Sequence, residues 1–262
     1  MSVALVADNA AVTSEIPESA SEPVATVDLD RALGLLVAGE LEIEGRLVDA
    51  SNTTLFCAVS DGELRAACVY KPVQGERPLW DFPDGTLAMR EVAAYAVSVA
   101  TGWNVVPPTV LRDGPLGPGM VQLWIDVDET VDLLELARSE RAELRRMALL
   151  DVVINNADRK GGHLLPLADG HVFGVDHGVC FSAQPKLRTL LWQWRGQRIS
   201  ADELEVLGRL RDGLQAELGT RLGSLLGSDE VAATATRIRR LLKSGAFPYP
   251  SPDWPAIPWP PF

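Results

Sequence analysis

Residues 151–181 read DVVINNADRKGGHLLPLADGHVFGVDHGVCF, and this stretch decides the fold. Two polar clusters, Asn155-Asn156-Ala157-Asp158-Arg159 and Asp176-His177-Gly178, stand among apolar residues. Between them, residues 164–175 read as a hairpin turning at Asp169-Gly170, a pair suited to a tight reversal. Asp158 and Asp176 are therefore expected at the ends of two paired strands. Phosphoryl transfer asks little covalent chemistry of a protein. It needs one carboxylate to orient the attacking hydroxyl and another to hold a metal that bridges the phosphates. Asp158 fits the first role, with Arg159 beside it to neutralise charge, and Asp176 fits the second. Gly178 lets the backbone turn sharply just after Asp176.

Outward from this centre the period of the apolar residues changes. Upstream, residues 140–155 form an amphipathic helix pattern with Leu144, Met147, Leu150 or Asp151, and Ile154 on one face. A shorter helix is expected over 131–137. Further back the pattern is of strands: 41–43, then 52–59 and 63–70 around a two-residue Asp61-Gly62 hairpin signal, then 109–112 and 120–127 around the turn-rich GPLGPG. A helix over 86–100, stopped at Gly102, interrupts them, and a helix over 29–38, capped by Asp28 and stopped by Gly39, precedes them. Downstream, Ser200 with Glu203 makes a capping-box pattern that opens a helix over 201–210. Another helix is expected from Ser228 or Asp229 to Lys243. The pattern is that of an α+β chain, strand-rich first and helical later.

Residues 149–165 resemble the catalytic loop of the phosphatidylinositol 3- and 4-kinase-like superfamily, in which an Asp-Arg pair is followed shortly by a metal-binding Asn. Gly174-Val175-Asp176-His177-Gly178 resembles the metal-binding Asp-x-Gly segment of the same enzymes. The type II phosphatidylinositol 4-kinases are nearest in motif, and a bacterial kinase-like family is similar along the whole chain. The resemblance covers roughly residues 41–191 and is most specific at the two quoted segments. It implies a two-lobed protein-kinase-like fold, with a small β-rich N-lobe and a helical C-lobe. It implies ATP, with Mg²⁺ or Mn²⁺, as cofactor. Lys71, at the end of a strand, matches the lysine that contacts the α- and β-phosphates, and Glu91 on the following helix is its candidate ion-pair partner. Ser51, Asn52 and Thr53 stand where a phosphate-covering loop belongs, although the segment is not Gly-rich. Gln122, Leu123, Trp124 and Ile125 would form the hinge and the adenine pocket. The departure is His163, where the family has its Asn. Imidazole suits transition metals better than Mg²⁺. Three consequences stand open: a second metal such as Mn²⁺ on His163, a phosphate contact, or a weak second metal and low activity.

The expected organisation is a disordered leader over 1–25, an N-lobe over 26–127, a C-lobe over 128–245 and a Pro/Trp-rich tail over 246–262. The tail's prolines exclude helix and central strand, and Trp254, Trp259 and Phe262 favour an extended strap that buries rings. The chain carries a formal net charge of −12, which weighs against nucleic acid as a partner. No apolar run approaches the roughly 20 residues that span a bilayer, and no polybasic or amphipathic stretch offers a stable membrane anchor. The first residues lack a basic n-region and a long apolar core, so no signal peptide is expected. Cys57, Cys68 and Cys180 lack metal-ligand spacing and read as reduced, buried thiols of a cytoplasmic protein. The function expected from these readings is ATP- and metal-dependent phosphotransfer to a protein Ser/Thr or a soluble small-molecule hydroxyl. The alternatives are a nucleotide-binding pseudokinase acting as a regulatory module, or AMP transfer on the same scaffold. Lys186, Arg188, Arg195 and Arg198, with Trp192 and Trp194, would either face an anionic acceptor or form a solvated, Trp-packed surface.

Overall fold

The computed structural model describes residues 2–5, 25–47 and 52–262. The chain divides into two compact units, Met1–Val92 with Pro107–Asp126, and Ala93–Val106 with Val127–Phe262. In the first unit, β1 (Ser2–Leu5) pairs antiparallel with β2 (Ala25–Asp28). A strand thus lies inside the expected disordered leader, of which residues 6–24 fall outside the described residues. Next, α1 (Leu29–Ala38) has the expected bounds.

A five-stranded antiparallel sheet follows, in the order β3-β4-β5-β7-β6. Its strands are β3 (Glu40–Arg46), β4 (Leu55–Ser60), β5 (Arg65–Pro72), β6 (Thr109–Gly114) and β7 (Gly117–Leu123). Burial alternates along β5, and its inward residues Ala66, Cys68 and Tyr70 pack with Cys57 of β4 and Met120 of β7 in the core. That is the period-2 pattern of a sheet with one buried face. Two expected turns differ in detail. Ser60 pairs with Arg65, so the β4–β5 turn holds four residues rather than two. Asp61 accounts for the longer form, because its Oδ1 accepts the N–H groups of Glu63 and Leu64 at 3.0 and 2.8 Å. The expected GPLGPG loop is mostly strand, since Gly114 pairs with Gly117 and only Pro115-Leu116 turn.

The helix α2 (Leu87–Thr101) begins where Glu76, from the preceding loop, accepts the Leu87 and Ala88 N–H groups at 3.0 and 2.8 Å. A carboxylate there satisfies donors that have no partner inside the helix and complements its dipole.

The second unit is mainly helical. It contains α3 (Leu133–Arg138), α4 (Ala142–Ile154), α5 (Ala201–Gly213), α6 (Glu217–Gly223) and α7 (Ser228–Ser244). Only α6, short and carrying Gly219 and Gly223, has no counterpart among the expected helices. A single hairpin, β8 (Leu164–Pro166) with β9 (Val172–Gly174), leaves the helical layer and carries the two polar clusters at its ends. Leu144, Met147, Leu150 and Ile154 of α4 are 0% exposed, so this helix is the centre of the unit's core. Burying four such side chains is worth roughly 6–12 kcal/mol before entropy is counted. The expected capping box holds at α5, with Ser200 Oγ accepting the Glu203 N–H at 3.2 Å and Glu203 accepting the Ser200 N–H at 2.8 Å. Among the described residues no helix is long and apolar enough to cross a membrane.

Candidate active site

The helix α4 stops at Asn155, which sits in the left-handed region with φ 53°. Asn tolerates that conformation better than most residues. Its side chain ties down the segment that follows β9: Nδ2 donates to the Ser182 and Gln184 carbonyls and Oδ1 accepts the Lys186 N–H. The next residue, Asn156, accepts the Asp158 N–H at 3.0 Å and donates to Asp151 at 2.9 Å. This local turn sets the backbone of Asp158. The Asp158 carboxylate remains 22% exposed and pairs with Lys160 Nζ at 2.9 Å. Lys160, two residues along, escaped the sequence reading. The signal was there in a carboxylate and an ammonium sharing one short loop.

Arg159 corrects an expectation. It is 0% exposed and points away from Asp158, into the unit. Its guanidinium bonds Asp151 through Nε at 3.1 Å and Nη2 at 2.9 Å, donates to the Val175 carbonyl at 3.0 Å, and lies 2.6 Å from His177 Nε2. Burial disfavours its charge, but Asp151 outweighs burial and holds the guanidinium above its ordinary pKa. Arg159 therefore neutralises Asp151, on α4, and joins α4 to the Val175–His177 segment. Asp151 itself is fully buried. The sequence trace of this pair is a lone carboxylate on the otherwise apolar face of α4.

Asp176 follows β9 with φ 62°, a left-handed conformation for a non-glycine residue. Such strain persists where the surroundings over-determine it, and functional sites are a common home for it. Its carboxylate is 50% exposed and lies 3.4 Å from His163 Nε2. His163 Nδ1 accepts the Lys160 N–H at 3.4 Å, which puts the ring proton on Nε2, facing Asp176. Burial holds the imidazole below its ordinary pKa, Asp176 opposing. In this tautomer His163 orients the Asp176 carboxylate and does not offer a lone pair to a metal. Among the described residues, no three His, Cys, Asp or Glu side chains cluster as a metal cage. The donor set nonetheless suits a hard dication, because Mg²⁺ is commonly held by one or two carboxylates together with substrate phosphates and water.

In the first unit, Lys71 Nζ lies 2.7 Å from Glu91 Oε1, and Glu91 is 2% exposed. Ser51 lies outside the described residues. Asn52 spends its Oδ1 on the Arg77 N–H at 2.8 Å, and the Thr53 N–H donates to the Gly75 carbonyl at 3.1 Å. Asn52 thus uses its side-chain acceptor, and Thr53 its backbone donor, on the loop that leads to Glu76. Gln122 is 5% exposed and donates to Thr109 Oγ1 at 2.8 Å, so its side chain serves the β6–β7 pair rather than a nucleotide pocket. Leu123 and Ile125 are buried, and Trp124 stacks edge-on against Phe56 with centroids 5.1 Å apart. The chain passes from the first unit to the second after Asp126. Of the basic residues offered to an acceptor, Lys186 and Arg188 face inward and lie over the Trp254 ring, at 5.3 and 5.6 Å from its centroid.

No protein-family model matches the chain. It is 44% identical over 263 residues to Protein Rv2133c of Mycobacterium tuberculosis, covering 87% of this chain and 94% of that one. It is 27% identical over 180 residues to phosphatidylinositol 4-kinase gamma 4 of Oryza sativa subsp. japonica, covering 55% of this chain and 32% of the plant protein. Among solved structures, the Golgi casein kinase with Mn/ADP bound superposes with a TM-score of 0.54 at 13% identity, covering 82% of this chain and 74% of that one. The fold is therefore protein-kinase-like, with a small β-rich N-lobe and a helical C-lobe.

Proposed function

The chain belongs to the family of Protein Rv2133c, and we propose that it is an ATP- and divalent-metal-dependent phosphotransferase of the phosphatidylinositol 3-/4-kinase-like type. The observation that carries this reading is the 3.4 Å approach of His163 to Asp176, which binds the Asp158 loop to the strained Asp176 segment. Asp158 accepts or orients the proton of the acceptor hydroxyl, and Lys160 beside it offers positive charge to a transferring phosphoryl group. Asp176 is the metal-holding carboxylate, and His163 fixes its orientation. The Mg²⁺ or Mn²⁺ bound there would neutralise charge on the nucleotide phosphates. Lys71, braced by Glu91, is the N-lobe's contact for nucleotide phosphates in this reading. The plant relative is named a phosphatidylinositol 4-kinase and the fold neighbour a casein kinase with Mn/ADP bound, which supports nucleotide and divalent metal as ligands here. The acceptor class we favour is a protein Ser/Thr or a soluble hydroxyl compound. Burial pushes the Cys57 thiol up to about 11, which suits an inert thiol in a reducing compartment such as the cytoplasm.

One observation favours a second reading, a nucleotide-binding regulatory module. The Thr53 N–H is committed to the Gly75 carbonyl, which leaves one donor fewer for phosphate in that loop. Purified protein incubated with ATP labelled at the γ-phosphate, in Mg²⁺ or Mn²⁺, separates the readings. Label transfer or hydrolysis that Asp158→Ala and Asp176→Ala each abolish supports phosphotransfer. Tight ATP binding without turnover in either metal supports the module. Incorporation of an α-label instead would establish AMP transfer.

A further inference from the structure

The Pro/Trp-rich segment after α7 is stitched along the second unit at successive points. Ile199 donates to the Gly245 carbonyl at 2.9 Å, the Phe247 N–H donates to Gln197 at 3.0 Å, and Arg145 stacks over the Phe247 ring at 4.7 Å. Trp254 lies beneath Lys186 and Arg188. The Ala256 carbonyl accepts from the Thr189 N–H at 3.1 Å and from Trp192 Nε1 at 2.8 Å. Finally the Pro261 carbonyl accepts the Gly161 N–H at 2.8 Å, inside the Asp158 loop. Gly161 is buried, and a Cβ added there would overlap the Phe262 ring. Glycine at 161 is what leaves room for the ring against the loop.

The middle stitches also reach this loop. Arg188, stacked on Trp254, donates through Nε to the Ala157 carbonyl at 2.6 Å. The Arg159 N–H donates to the Arg188 carbonyl at 3.1 Å, and the Leu190 N–H to the Arg159 carbonyl at 3.3 Å. The loop over 156–163 is thus held by the strap directly at Gly161 and indirectly through residues 186–190. It needs such support, because Gly161-Gly162 separates Lys160 from His163 and two successive glycines carry a large backbone entropy.

We propose that residues 246–262 are a brace for the catalytic loop, with Phe262 as its positioning residue at Gly161. A plug is the other thing a strap at this place could be. Asp158 is 22% and Asp176 50% exposed with the strap in place, so the carboxylates stay open and the brace is favoured. The effect on turnover rests on the phosphotransferase reading, whereas the effect on the loop does not.

The test uses the parent chain of residues 1–262, Phe262→Ala, Phe262→Tyr, Gly161→Ala, the Gly161→Ala/Phe262→Ala double variant, and a chain ending at residue 255. Amide hydrogen exchange over residues 156–163 is read beside kcat and KM for ATP. Loss of the ring or of the strap should speed exchange at Gly161 and Gly162 by tenfold or more. It should lower kcat by about ten- to a hundredfold, the scale on which a small misplacement of reacting groups acts, and leave KM for ATP within twofold. Phe262→Tyr should restore kcat and slow exchange. The two single substitutions should not add in the double variant, because each removes the same contact. A rise in kcat would overturn the brace in favour of a plug, and unchanged exchange would overturn it outright. Failure of the parent protein to turn over ATP would remove the phosphotransferase reading alone, and exchange would still decide the strap.

Discussion

Asp151→Asn replaces a carboxylate by an amide of the same shape at a fully buried position. The native carboxylate accepts from Arg159 Nε and Nη2 at 3.1 and 2.9 Å, from Asn156 Nδ2 at 2.9 Å and from Thr189 Oγ1 at 3.2 Å. The amide offers one acceptor oxygen and turns an NH₂ toward donors. More costly still, it takes from the 0% exposed Arg159 guanidinium its paired carboxylate. Two charge-assisted hydrogen bonds lost at about 1.5–3 kcal/mol each give about 3–6 kcal/mol. Breaking a buried ion pair from one side typically costs about 3–5 kcal/mol, so the two routes agree. For a chain of this size each kcal/mol moves the melting temperature by about 2–4 °C, which makes the expected drop about 6–20 °C. Thermal unfolding followed by circular dichroism measures it. Replacing both partners, Asp151→Leu with Arg159→Met, should recover at least about half of the loss, because a buried pair exchanged for apolar groups is often near neutral. A single variant within about 1 kcal/mol of the parent would refute the reasoning. So would a double variant as unstable as the single one.

Three further outcomes follow from the same geometry. Lys71→Met should lower kcat/KM for ATP by about 10²-fold or more, the scale of removing one preorganised charge from a reacting group. Steady-state ATP turnover checks it, and a loss under threefold would remove Lys71 from the phosphate clamp. His163→Ala removes the imidazole N–H that faces Asp176 and should raise the Mg²⁺ or Mn²⁺ concentration needed for half-maximal turnover about tenfold, the scale of losing a group that orients a metal-holding carboxylate. An unchanged metal requirement would mean that His163 does not orient Asp176. Burial raises the Glu203 pKa, but hydrogen bonds from Arg145 and from the Ser200 N–H outweigh burial and hold the carboxyl below its ordinary value. Its contribution to stability is therefore complete above the unfolded pKa and is lost as pH falls through the lower native pKa. Urea titrations below about pH 4.5 should show a slope of up to about 1.4 kcal/mol per pH unit from this group, absent in Glu203→Gln.

Much of the molecule was legible where neighbours along the chain make the structure. The bounds of α1, the Ser200–Glu203 box of α5 and the β8–β9 hairpin depend on contacts a few residues apart, and the sequence pattern displays these directly. The tail's lack of regular structure was legible too, because its prolines exclude helix and central strand, but the expected ring burial fails at Trp259, 87% exposed, and at Phe262, 51% exposed. Side-chain direction was not. Arg159 adjoins Asp158 in sequence but turns inward, because Asp151 waits one helical end away in the core and an unpaired buried carboxylate would be costly. Gln122 sits on a strand whose neighbour β6 presents Thr109, and the hydrogen bond made there turns its amide to that strand. The Thr53 backbone N–H looked like a phosphate donor until the Gly75 carbonyl packed beside it. The sequence by itself determined most of the helices and sheet strands, though not α6 or the β1–β2 pair, and which carboxylates bracket the hairpin, since those follow from local period and turn chemistry. Only the tertiary structure decided which charges stay open and which are neutralised inside, because desolvation makes each buried polar group take the partner that packing brings within reach.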